Sequence, residues 1–272
     1  MEIYLPITVQ EVFFTSQRVV FIVTSLLNAL AMFCLLRETP PNQAGIRKYL
    51  IFIQVVVGLS SVYLDILFVP IPTFPAIAGY CVGLLCSAGI RPHSVLGVFV
   101  LLLVLVGTAI ISCSFYRHQT IIPASNPLRV SKNQFNITWI ISRGSYFAQE
   151  RGMAVLVVIS LVELDIIIFI IVLLFLFWHM FHVLNAAKNK SPTSTKRVKD
   201  SLTVLFVQMA VPLAMVLITA LLLITSLACE CIPYDITLPA FCVLTLHPLV
   251  HNLILLSITP TYRRFIIATV RR

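Results

Sequence analysis

The chain has 272 residues, of which 59% are hydrophobic and only 11% charged, with a formal net charge of +9. Soluble domains carry about 25% charged residues, so this composition cannot cover a water-facing surface, and the apolar excess faces lipid. The basic residues fall in short stretches between apolar runs, which is the pattern of cytoplasmic loops and not of a nucleic-acid groove.

A spanning helix needs about 20 mostly apolar residues. Residues 1–10 hold Glu2 and Pro6 and lack a basic stretch, unlike a cleaved signal peptide, so the first long run is expected to act as an uncleaved anchor. Along the chain, spans are expected at about 19–36, 49–69, 76–114, 153–177, 201–228 and 236–258. The third has a clear core at 94–114, and Arg91-Pro92-His93 interrupts its extension back through 76–90. One long tilted helix with a polar kink fits, as does a re-entrant approach followed by a helix; the long helix is the preferred reading. The expected fold class is all-α, a polytopic transmembrane helix bundle in a single domain over residues 1–272.

Lys and Arg in short loops mark the cytoplasmic side. Arg37, Arg47 and Lys48 follow the first run, and Arg117, Arg129 and Lys132 follow the third. Lys188, Lys190, Lys196, Arg197 and Lys199 lie within 179–200, and Arg263, Arg264, Arg271 and Arg272 form the tail. All four stretches are expected inside. The first 17 residues, with Glu2 and Glu11 and no base, are expected outside, as are 69–75 and 229–235. The N-terminus is then external and the C-terminus cytoplasmic.

The span count conflicts with this assignment. Only the run 153–177 separates two stretches that should both be inside, and one crossing cannot join points on the same side. No apolar stretch of spanning length lies between Arg117 and Gly152. That segment carries the sequon Asn136-Ile137-Thr138, which would be glycosylated only on the lumenal side. The pattern fits a seven-helix architecture with about six spans present and the fourth helix absent. The alternative is that the positive-inside rule fails at one loop.

Polar groups at membrane depth are costly and are candidates for function. The plain alternative is an interhelical hydrogen bond worth about 1 kcal/mol. Asn28, in the middle of the first run, is expected to bond a neighbouring helix. Asp65 lies near the outer end of the second run, before Pro70 and Pro72; an ion pair with Arg91 or His93, an external water pocket and a ligand contact are all open to it. Glu163 and Asp165 are two residues apart and point about 200° apart on a helix, so they form no carboxylate dyad. They are candidates for a cationic ligand or for a neighbouring helix. Gln208 and Pro212 share the fifth run, where the proline frees a carbonyl and permits bending. His247, Pro248, His251 and Asn252 lie in the last run; the histidine spacing suits zinc, but no third ligand accompanies it, so a polar network around a Pro248 kink is expected and no metal.

The seven cysteines show no paired zinc-site spacing. Cys34, Cys86 and Cys113 read as small buried hydrophobes, while Cys81, Cys229 and Cys231 fall near the outer face, where a disulfide is open to them. No phosphate-binding glycine loop or nucleophile motif is present, so neither an enzyme activity nor a cofactor is expected.

Several strings, in order, resemble one receptor family. They are Tyr63-Leu64-Asp65 running into Phe68-Val69-Pro70-Ile71-Pro72 and Phe74-Pro75, then Gly79-Tyr80-Cys81-Val82-Gly83, then Phe115-Tyr116-Arg117-His118-Gln119. Trp139-Ile140, Arg143-Gly144 and Tyr146 follow, then Ser201-Leu202 with Gln208 and Pro212, and last His247-Pro248 with Pro260-Thr261-Tyr262-Arg263. Together they resemble the nematode serpentine chemoreceptors, seven-helix receptors, especially classes h and i, over nearly the whole chain. The resemblance implies a G-protein-coupled receptor for an external small molecule in the plasma membrane of a sensory cilium. Its partners would be a heterotrimeric G protein, the ligand and the bilayer. It places a basic residue, Arg117, at the inner end of the third helix, with His118, Lys196 and Arg197 on the same cytoplasmic side. It also accounts for the conflict in the span count: the family has a helix between the Tyr116–Gln119 and Trp139–Ile140 strings, which this chain joins directly. Loss of that helix would impair folding or signalling. Two other classes compete. A proton-coupled transporter would use Glu163 and Asp165 as a relay, but no internal repeat is visible. A small assembly subunit would bind no ligand.

Overall fold

A computed structural model describes residues 7–39, 44–72, 79–123, 126–129, 153–186, 192–229 and 234–271. In chain order these form helices α1 (Ile7–Arg37) and α2 (Ala44–Val62), strands β1 (Pro70–Pro72) and β2 (Gly79–Cys81), and helices α3 (Leu84–Ser87) and α4 (Pro92–Ile121). Helices α5 (Met153–Ala186), α6 (Pro192–Cys229), α7 (Tyr234–Ile258) and α8 (Pro260–Val270) follow. α4, α6 and α8 each begin at a proline, whose fixed φ and missing N–H suit the first helical position. The protein is an all-α polytopic bundle. Among the described residues, Glu11–Arg37, Ala44–Phe68, Ser94–Ile121, Ile167–Ala186 and Val198–Thr219 are long and apolar enough to cross a membrane. A sixth candidate is the pair Cys242–Ile258 and Pro260–Thr269, bent by 86° at the break. Leu26, Ile171 and Ile218 are each at least 60% exposed. Side chains of this kind on the outside of a helix belong in lipid, not in water.

The chain divides into two compact units, Met1–Val106 with Val207–Arg272, and Gly107–Phe206. In the first, α1 packs on α2 and α7, and α2 also touches α7. One core cluster joins Ala31, Cys34 and Leu35 of α1 to Leu255 and Leu256 of α7 and Tyr262 of α8. Another joins Tyr63, Leu64 and Phe68 to Val95 and Phe99 of α4.

The expected single helix over 76–114 does not form. Its residues from 79 onward make β2, then the short α3, and α4 starts only at Pro92. Two local features break the run. Gly89 takes the left-handed conformation, φ +80°, which L side chains avoid, and Pro92 cannot accept a continuing helix from its N-terminal side. β1 pairs antiparallel with β2, Ile71 opposite Tyr80, and forms a cap beyond α2. Cys81 and Cys86 are joined by a disulfide within this cap. Cys86 is therefore not the small buried hydrophobe expected; Cys34 and Cys113 are, both being buried and free. The cap sits tightly, since a side chain at Gly83 would overlap the Leu67 carbonyl.

In the second unit, Gly107 of α4 faces the Phe169 ring of α5, and further along both helices His118 is bonded to His179. α4 and α5 therefore run in the same direction. Phe177 of α5 meets the Phe206 ring of α6 edge-on at 5.0 Å.

Candidate functional site

Polar side chains gather at three levels of the first unit. At the disulfide end, α2 closes in a π-helical turn, Tyr63–Phe68, and Val69 then takes a left-handed φ of 42°. Such turns and such backbone in a β-branched residue collect at functional sites. Asp65 lies in this turn. Its partner is Gln17 of α1, whose Nε2 donates to Asp65 Oδ1 at 3.0 Å. Arg91 is exposed and makes no ion pair with Asp65. The other amide atom, Gln17 Oε1, is buried with no hydrogen-bond partner among the described residues. An acceptor without a donor thus sits beside a carboxylate, which favours a group that brings N–H or O–H donors. Tyr63 braces the turn by donating to the Val95 carbonyl at 2.6 Å.

At mid-depth, Gln54 of α2 donates through Nε2 to both Asn28 Oδ1 of α1 and Asn252 Oδ1 of α7. Gln54 and Asn252 are wholly buried. Gly58 leaves the room: a Cβ there would strike the Asn28 amide nitrogen. One amide therefore ties three helices together.

Two prolines inside helices, Pro212 and Pro248, accompany this triad. Pro212 of α6 has no N–H, so the carbonyl four residues earlier, that of Gln208, loses its helical donor. The His251 ring bonds that backbone group. Pro248 of α7 likewise frees the Leu244 carbonyl, and His247 Nδ1 donates to it at 2.6 Å. His247, Pro248, His251 and Pro212 are all buried. Each histidine restores a hydrogen bond that a proline removed, as apolar surroundings require. No group of three metal-ligating side chains occurs among the described residues.

At the opposite end from the disulfide cap, Thr39 Oγ1 and Tyr262 Oη share a hydrogen bond of 2.9 Å. In the second unit, Arg117 Nη2 donates to Ser201 Oγ of α6 at 3.1 Å. Gln119 Nε2 donates to the Leu128 carbonyl at 3.0 Å and lies 3.3 Å from His118 Nδ1. His118 Nδ1 is then the acceptor, and His118 Nε2 donates to His179 Nδ1 at 2.9 Å. Lys196 is exposed.

The structure thus brings Asn28 and Asn252 together, and His251 to the Gln208 carbonyl that Pro212 leaves free. Gln17, Gln54, Thr39, Tyr262, His179 and Ser201 were not singled out from the sequence as partners. Gln54 was findable, being an amide within an apolar run. The helix α5 carries Glu163 and Asp165 and α4 carries His93, but the side chains of these three residues, and that of Arg197, lie outside the described set. Asn136, Cys231, the side chain of Cys229, and residues 130–152 generally also lie outside it.

These features define a polytopic helical membrane protein with a polar, proline-containing interior and no catalytic constellation among the described residues. Two family models match it: serpentine type 7TM GPCR chemoreceptor Srh over residues 9–148 and serpentine type 7TM GPCR chemoreceptor Sri over residues 142–266. The chain belongs to the serpentine seven-transmembrane chemoreceptors. These families are not enzymes, and the match does not favour a transporter. No curated protein matches the chain.

Proposed function

We propose that the protein is a chemosensory receptor that binds an external small molecule and acts on a heterotrimeric G protein, with its N-terminus outside and its C-terminus in the cytoplasm of a sensory cilium. The observation that carries this is the Srh match across 9–148, together with the Sri match that takes over to 266. The orientation is supported by the Cys81–Cys86 disulfide, since disulfides persist in oxidising compartments. Asp65 with Gln17 is the ligand contact, and His93, Glu163 and Asp165 are further candidates. The Asn28–Gln54–Asn252 amides and the Pro212, Pro248, His247 and His251 set form the switch. Arg117, Lys196 and Arg197 face the G protein, while His118, expected with them, is buried against His179 and ties α4 to α5; Asn136 is the glycan acceptor.

We further propose that the fourth helix of the family is missing. Two consecutive helices that run in the same direction need a return crossing between them, and α4 and α5 are such a pair. The two family matches also hand over at 142–148, inside the segment that lacks a spanning run. A receptor without that helix reaches the membrane but couples weakly.

The test is ligand-dependent nucleotide exchange on an added G protein by the full chain in lipid nanodiscs, screened against a panel of water-soluble and volatile odorants. Exchange that Asp65→Asn abolishes supports the reading. Exchange unaltered by Asp65→Asn removes Asp65 from the site, and proton-coupled uptake in place of exchange rejects the receptor. For the missing helix, genomic DNA between the codons for Arg117 and Asn136 should hold an apolar coding stretch of about 20 codons.

A further inference from the structure

The hydrogen bonding of Asp65 and Gln17 is incomplete in a way that names a ligand. Asp65 accepts one hydrogen bond, from Gln17 Nε2 at 3.0 Å, and no Lys, Arg or His is paired with it among the described residues. Arg18 and Arg91 are both exposed. Gln17 is 7% exposed, and its Oε1 is buried without a donor. A buried acceptor left unmatched is costly. The Gln17 amide N–H therefore stands in at the carboxylate for a donor that the rest of the described chain does not supply. Asp65 itself is half-buried, so the pair is not sealed off.

The surroundings favour a cation. Helical side chains lean toward the N-terminus, so that of Gln17 reaches back to the preceding turn of α1. That turn carries Phe13 and Phe14, four and three residues earlier and on the same side of the helix. Both are half-buried, and their rings meet edge-on at 5.8 Å. Aromatic faces attract cations and also offer an apolar wall. Residues 1–17 hold Glu2 and Glu11 and no base, which raises the local concentration of positive ligands.

Ligand classes differ in how they meet these needs. A carboxylate is repelled by Asp65. An alcohol brings one donor and no charge. A hard metal ion wants about six oxygens, and this pair supplies few of them. A primary ammonium brings a charge and three N–H donors, enough for the carboxylate and the amide oxygen together. We propose that the site takes a primary amine in its ammonium form, donating N–H to Asp65 and to Gln17 Oε1, with its carbon chain against Phe13 and Phe14. This rests on the reading of Asp65 and Gln17 as the ligand contact, and adds the class of ligand.

Tritiated hexylamine is bound to the full chain in phosphatidylcholine nanodiscs at neutral pH, with empty discs as background. Binding should saturate. Unlabelled hexylamine should displace the label at least about tenfold better than hexyltrimethylammonium, which has the charge but no N–H, or hexan-1-ol, which has one donor and no charge. Asp65→Asn still accepts from Gln17 but lacks the charge, and should weaken binding at least about tenfold. No saturable binding by the wild type overturns the proposal. So does equal displacement by hexyltrimethylammonium, a comparison that needs no variant. An Asp65→Asn protein that melts with the wild type and binds hexylamine equally well overturns it too. The binding measurement needs no G protein. Amine binding without nucleotide exchange therefore keeps the site and rejects the receptor reading, while exchange driven by nitrogen-free odorants with no amine binding does the reverse.

Discussion

His118 Nε2 of α4 is hydrogen-bonded to His179 Nδ1 of α5 at 2.9 Å, and both residues lie in the C-terminal parts of their helices. Two successive helices therefore end side by side. Cysteines placed at exposed Thr120 and Asn185, just beyond the pair, should react with a membrane-impermeant maleimide from one and the same face of sealed vesicles. Labelling from opposite faces would sink the account of a lost crossing. Stability should couple in the same pair: His118→Ala and His179→Ala should each cost about 1 kcal/mol, and the double variant little more than either, by thermal unfolding in nanodiscs.

The proline–histidine pairing makes a sharper statement. His251→Phe leaves the Gln208 carbonyl without a donor in apolar surroundings and should lower stability by about 1–2 kcal/mol. Pro212→Ala restores a backbone N–H to that carbonyl. In the Pro212→Ala background, His251→Phe should therefore cost much less. Equal costs in the two backgrounds would mean that the histidine does not serve the kink.

The triad offers a steric test. Gln54→Leu removes the donor to buried Asn252 and half-buried Asn28 and should cost about 1–2 kcal/mol. Gly58→Ala changes no polar atom but pushes Asn28 off Gln54, and should lose a similar amount. Asn28→Ala should then make Gly58→Ala nearly neutral, as read by melting temperature.

Much of this was legible beforehand, for definite reasons. Long apolar runs announce spans because lipid demands about 20 apolar residues whatever the partners are. Asn28, Pro212 and the His247–Asn252 group stood out because polar atoms and prolines are rare at that depth. Other features depended on contacts that no local pattern carries. Gln17 lies before the apolar core of the first run, in a stretch that the sequence assigns to an external tail, yet α1 begins at Ile7 and takes it in. Cys86 sat in an apolar run and looked like packing; only the bend at Gly83 into the short α3 brings it back to Cys81. The helix expected over 76–114 failed because a hydropathy pattern does not weigh one left-handed glycine.

The disulfide gives a fourth outcome. The Cys81–Cys86 loop is short, so its loss by double serine substitution should cost about 2 kcal/mol. Polymer-maleimide labelling of the unfolded protein should add two tags after reduction compared with before. No change on reduction would mean that this end of the bundle is in the cytosol, and the assigned orientation would be reversed.

The π-helical turn that holds Asp65 gives α2 one residue more than a regular helix would use over the same length. Removing a single codon from Tyr63–Phe68 would let the ladder relax to ordinary α pitch over the same length. The hairpin beyond would keep its place, and the bulge that holds the carboxylate against Gln17 would be gone. A lineage of such proteins can therefore change what its outer mouth presents by gaining or losing one amino acid, with the buried helical scaffold left as it was.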